Sequence, residues 1–133
     1  MGCDIHPGVY TRYESGFDWY ELRAVPKSSR NYGLFSFIAG VRSGYAFDFG
    51  TYSEMRGLPE RFSLEDGDGA LTGDHSPSHY TLPDFRKMMK AAKTGDNTDS
   101  REQLDHWLRV MEFVATEYGV EEKNIYFIFN FDS

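Results

Sequence analysis

The stretch Asn124-Ile125-Tyr126-Phe127-Ile128-Phe129-Asn130-Phe131-Asp132 reads as a β-strand, because its side chains sort into two sets with a period of two. Ile125, Phe127, Phe129 and Phe131 face one way, and Tyr126, Ile128, Asn130 and Asp132 the other. Before it, Leu104, Trp107, Leu108, Met111, Ala115 and Tyr118 recur at helical spacing, which predicts an amphipathic helix over 99–118 ended by Gly119. A shorter helix over about 82–93 is predicted from Phe85, Met88, Met89 and Ala92, with Thr81-Leu82-Pro83-Asp84 at its start. The polar run Thr94 to Ser100 separates the two helices. Further back, Asn31 is suited to cap a short helix through Phe35-Ser36-Phe37-Ile38-Ala39, with Gly40 as its stop.

At the other end, Cys3 to Tyr13 and Phe17 to Val25 alternate on either side of Glu14-Ser15-Gly16, which predicts a β-hairpin. Strand geometry puts Cys3, Ile5, Val9 and Tyr13 on one face and Asp4, His6, Tyr10 and Arg12 on the other. Asp4 and His6 are therefore neighbours, and Cys3 points away from them. Pro7 cannot donate to a ladder, so this strand is expected at an edge or bulged after His6. Residues 40–80 hold seven Gly and two Pro without a sustained period, a long irregular loop of the kind that carries function. The order predicts a single α+β domain over 1–133: a small, largely antiparallel sheet, made of the N-terminal hairpin and the C-terminal strand, packed by about three helices.

Composition agrees with a folded domain. At 133 residues the chain is long enough to bury roughly two-thirds of its unfolded surface. Its 11 Phe, 9 Tyr and 2 Trp point to a core built on rings. The formal charge of −7 disfavours duplex nucleic acid as a partner, since the protein's own field repels phosphate, but suits a basic protein groove. One cysteine allows no intrachain disulfide, and neither an apolar run of about eighteen residues nor a charged-then-apolar leader is seen. A cytoplasmic chain with no membrane partner is expected.

The motifs Met1-Gly2-Cys3-Asp4-Ile5-His6, Arg30-Asn31-Tyr32 running into Leu34-Phe35, Ala39-Gly40-Val41-Arg42, Arg56-Gly57-Leu58-Pro59, Asp74-His75-Ser76 with Ser78, and Asn130-Phe131-Asp132 span nearly the whole chain. In their order they resemble a family of small uncharacterised proteins of bacteriophages and prophages. This chain departs from that pattern in carrying His79-Tyr80 after Ser78, where the family often has Trp. The resemblance implies a phage accessory protein acting in the cytoplasm of an infected bacterial cell, with the polar motif positions as its site.

The residue types in those motifs suggest two chemistries. Asp4, His6 and His75 are candidate ligands for a divalent metal such as Zn, Mn or Mg, although no zinc signature such as Cys-x-x-Cys or His-Glu-x-x-His is present. His6, His75 and Asp74 are the candidate acid–base groups. Arg30, Arg42 and Arg56, with Asn31, Tyr32, Ser76 and Ser78, are candidates for holding a phosphate-bearing small molecule or nucleotide, because a guanidinium fork meets phosphate bidentately and the nearby tyrosines can stack a base. Each has a structural counterpart: the histidines as buried hydrogen-bonding groups, and the arginines as braces of the long loop against the surplus carboxylates. Cys3 reads as a buried structural thiol. Two functions follow, a pocket enzyme acting on a phosphodiester and a non-catalytic phage inhibitor of a host defence protein. A sponge that binds a nucleotide without cleaving it would use the same pocket.

Overall fold

The computed structural model describes residues 3–12, 19–24, 30–41, 51–62, 71, 73–92 and 98–132. Among these residues four strands form one antiparallel sheet: β1 (Asp4–Arg12), β2 (Trp19–Ala24), β3 (His75–Thr81) and β4 (Tyr126–Asp132), in the order β2-β1-β4-β3. The described helices are α1 (Tyr32–Ala39), α2 (Leu82–Ala91) and α3 (Thr98–Tyr118), and a short 3₁₀ turn, Glu122–Asn124, leads into β4. None of the described helices is long and apolar enough to cross a membrane.

The phenylalanine ladder of β4 organises the core. Phe127, Phe129 and Phe131 point to the helical side with Ile5, Val9 and Tyr80, where they meet Leu34 and Phe35 of α1, Phe85 and Met88 of α2, and Leu104, Trp107 and Met111 of α3. Ring contacts run through this layer, with Trp107 4.9 Å and Phe85 5.5 Å from Phe127, centroid to centroid. The opposite face is also covered. Ile128 and Tyr10 pack there with Trp19, Phe62 and Leu71, and the Phe62 ring stands edge-on to both Tyr10 and Trp19 at 5.2 Å. The apolar Ile128 in an otherwise polar set signals that second layer in the sequence.

The helix ends follow their capping chemistry. The Asn31 side chain accepts from the Leu34 N–H at 3.0 Å, and its amide nitrogen donates to the hydroxyl of buried Ser100 at 2.8 Å, tying the start of α1 to the start of α3. Asn31→Ala should therefore destabilise the fold by about 1–2 kcal/mol in chemical denaturation, the usual loss for a removed cap. At the other end of α1, Gly40 has φ 70°, and its N–H closes on the Ser36 carbonyl. Thr81 caps α2, which carries Pro83 in its first turn.

Three expectations are corrected. Residues 75–81 are a strand within the span expected to be irregular; Pro77 and a bulge between His75 and Ser78 hide its period, and its place at the sheet edge tolerates both. The irregularity expected after His6 falls instead between Val9 and Tyr10, and the β1–β2 ladder begins only at Gly8. Asp4 to Pro7 is thus laddered to β4. Tyr118, expected in the core, is 57% exposed, its neighbours Thr116 and Glu117 are exposed with it, and Ala115 is the last residue of α3 in the core. Val114 is buried in the turn before Tyr118.

Candidate functional site

Strand pairing builds a polar cluster where β1 begins and β4 ends. Asp4 pairs with Asp132 and His6 with Asn130, and period two turns all four side chains to the face opposite the helices. His6 Nε2 lies 2.6 Å from Asp132 Oδ2, and Asp132 Oδ1 accepts the Asp4 backbone N–H at 3.2 Å. Arg30 donates to both Asp4 oxygens, from Nε at 2.9 Å and Nη2 at 3.4 Å. Tyr32 joins from the first turn of α1, its hydroxyl accepting the Cys3 N–H at 3.2 Å.

Asn130 serves a different purpose beside them. Its side-chain oxygen accepts the Gly73 N–H at 3.0 Å and its nitrogen donates to the Gly73 carbonyl at 2.9 Å. The amide thus reproduces the two-way exchange of a strand pair and pins the chain just before β3 to β4. Residue 73 must be glycine for this approach, since a Cβ there would lie 2.5 Å from the Phe131 carbonyl oxygen.

The hydrogen bond from His6 favours the ionised form of Asp132, with a smaller contribution from the Asp4 N–H, and holds its carboxyl below the ordinary 3.8. At neutral pH Asp132 is an acceptor only, so the contact places a proton on His6 Nε2. Because the folded value is the lowered one, the stabilisation from this contact is fully present above 3.8 and is lost as pH falls through the lower value. Carbon-detected NMR titration should find the Asp132 midpoint below 3.8, and His6→Ala should move it upward. The exposed Arg30 guanidinium is raised from its ordinary value by its hydrogen bond and proximity to Asp4, so it stays a cation at the rim of the cluster.

Other sequence-selected residues lie elsewhere. His75 pairs in register with Phe131 and stacks on its ring at 6.3 Å, which puts it on the helical side, away from Asp4 and His6. Its Nδ1 is 2.9 Å from the Ser76 hydroxyl, Ser76 has φ 53°, and His75 Nε2 is buried without a hydrogen-bond partner among the described residues. Asp74 is exposed, and its N–H donates to the Phe131 carbonyl at 2.8 Å. Among the described residues no three His, Cys, Asp or Glu side chains are grouped to hold a metal ion. Asn31 caps α1, and Arg42 lies outside the described residues.

Arg56 and Ser78 do come together, at the outer edge of β3. The Arg56 N–H donates to the buried Ser78 hydroxyl at 2.9 Å, and its guanidinium lies 4.1 Å over the Tyr80 ring, 3.5 Å from Asp84, with Nε 3.2 Å from Ser53 Oγ. His79 Nδ1 donates to the Gly57 carbonyl at 2.9 Å, and the Gly57 N–H to the Pro77 carbonyl at 3.0 Å. Burial pushes the Tyr80 phenol up to about 12 and lowers His79, so both stay neutral near pH 7. These contacts brace the segment before Pro59 against the sheet edge. Tyr80 pairs with Phe127, five residues along β4 from Asp132, or about 16 Å at the rise of a strand. The arginine expected beside the first cluster is thus Arg30, and Arg56 belongs to a separate brace.

Asn130 and Asp132 are marked in the sequence only as polar positions of the last motif, and no chemical role is assigned there to them or to Gly73. Alternation had placed Asn130 and Asp132 on the polar face of the last strand, and only the pairing of β4 with β1 brings them to Asp4 and His6. No protein-family model, curated protein or solved structure matches the chain.

Proposed function

We propose that this chain is a phage-type accessory protein of the infected bacterial cytoplasm, and that the Asp4–His6–Asp132–Arg30 cluster binds a phosphate-bearing small molecule or nucleotide and hydrolyses a phosphodiester. The observation that supports this reading most is the 2.6 Å contact between His6 Nε2 and Asp132, which orients the imidazole with Nε2 as its donor. In the proposed step Nδ1 takes a proton from a water as its oxygen bonds to phosphorus. The bond from phosphorus to the leaving oxygen breaks, and the imidazolium, held by Asp132, returns the proton to that oxygen. Arg30, 56% exposed, uses two N–H groups on Asp4 and has others to offer a phosphoryl oxygen. A divalent ion such as Zn²⁺, Mn²⁺ or Mg²⁺ would take Asp4 and His6 Nδ1 as ligands in place of the general-base step, and Arg30 would then have to release Asp4.

The non-catalytic alternative, an inhibitor of a host defence protein or a nucleotide sponge, draws on the net charge of −7 and on carboxylates already satisfied within the fold. One experiment separates these readings. Purified protein is incubated with bis(p-nitrophenyl) phosphate and with linear and cyclic dinucleotides, in EDTA and in each of the three metals, while binding is followed by calorimetry. Turnover is the expected result. Binding without turnover replaces the enzyme with the sponge, and neither binding nor turnover overturns the phosphate-site reading.

A further inference from the structure

The outward face of α3 carries Arg109, Phe113 and Glu117 at intervals of four residues, which places them in one stripe. All three are exposed, Phe113 to 55%. Phe113, Val110, Arg109 and His106 line a shallow depression of about 350 Å³ on the same face. The stripe therefore has a ring at its centre, a cation one turn toward the N-terminus and an anion one turn toward the C-terminus.

Such a stripe complements itself. If a second copy of α3 lies antiparallel across it, with the two-fold axis at Phe113, the two rings meet beside the two depressions. The equal spacing then sets Arg109 of each copy against Glu117 of the other, so one symmetry operation makes two ion pairs. A foreign helix would need this same order of charges in reverse to do as well. We propose that the exposed face of α3 is a homodimer interface, occupied by α3 of a second copy of this chain in antiparallel register. The contact is small against the standard interface of about 1,600 Å², and the charge of −7 on each copy opposes it, so the dimer forms at high protein concentration. This inference is independent of the phosphodiester reading.

The test is a sedimentation-velocity series from micromolar to millimolar protein at physiological salt, with circular dichroism to confirm that each variant is folded. Wild type is expected to associate reversibly. Arg109→Glu and Glu117→Arg should each weaken association by at least on the order of tenfold, because each sets like charges opposite one another twice. Mixing those two variants should restore a heterodimer, and the double variant should restore the homodimer. A wild type that stays monomeric throughout overturns the proposal. So does association that survives both single reversals, or a mixture of the two variants that fails to associate.

Discussion

His6→Ala should lower phosphodiester turnover by about 10²–10⁴-fold, the range for loss of a positioned acid–base group, and leave the fold intact. The two effects separate because of where the dyad sits. His6 is partly exposed, and Asp132, with its side chain 40% exposed, can be hydrated once the imidazole is gone. Asp132→Asn should cost less rate than His6→Ala, since an amide can still hold the ring but cannot stabilise the imidazolium. Steady-state kinetics should show the loss in kcat, with KM nearly unchanged. Arg30→Ala should show the converse, raising KM, because its proposed task is to bind the phosphate.

Trp107→Ala should destabilise the protein by about 3–5 kcal/mol, a large share of the roughly 5–15 kcal/mol that holds a domain together. Trp107 is fully buried, and its ring packs 4.9 Å from Phe127, which in turn touches Phe85 and Phe129. Removing it opens a void at the junction of α3 with the central strand. The indole Nε1 is buried without a hydrogen-bond partner among the described residues, and leaving such a donor unpaired costs about 1–3 kcal/mol. Trp107→Phe removes that unpaired group and keeps most of the ring, so it should lose far less than Trp107→Ala. Urea denaturation of the two variants measures the difference.

The elements legible in the sequence are those whose period is uninterrupted. The spacing of Leu104, Trp107 and Met111 located α3, and the four-way alternation of β4 gave both its faces correctly. Asn31 and Gly40 bounded α1 because capping is local chemistry. The strand at 75–81 was hidden because Pro77, a bulge and two histidines replace the β-branched residues that mark a strand, and its formation depends on β4 offering an edge. The site divides in the same way. Asp4 and His6 share a face by period alone, but Asp132 reaches them from 126 residues away in sequence through a ladder that no local pattern specifies. The separation of His75 from His6 has the same origin, since register sets which face a residue takes once strands pair.

The most direct test of the proposed chemistry is the ring state of His6, read from long-range ¹H–¹⁵N correlations at neutral pH in wild type and Asp132→Ala. The expected result is a proton fixed on Nε2, and loss of that preference in the variant. A wild-type His6 protonated on Nδ1, or one whose tautomer is indifferent to Asp132, would contradict the assignment of His6 as a base oriented by Asp132.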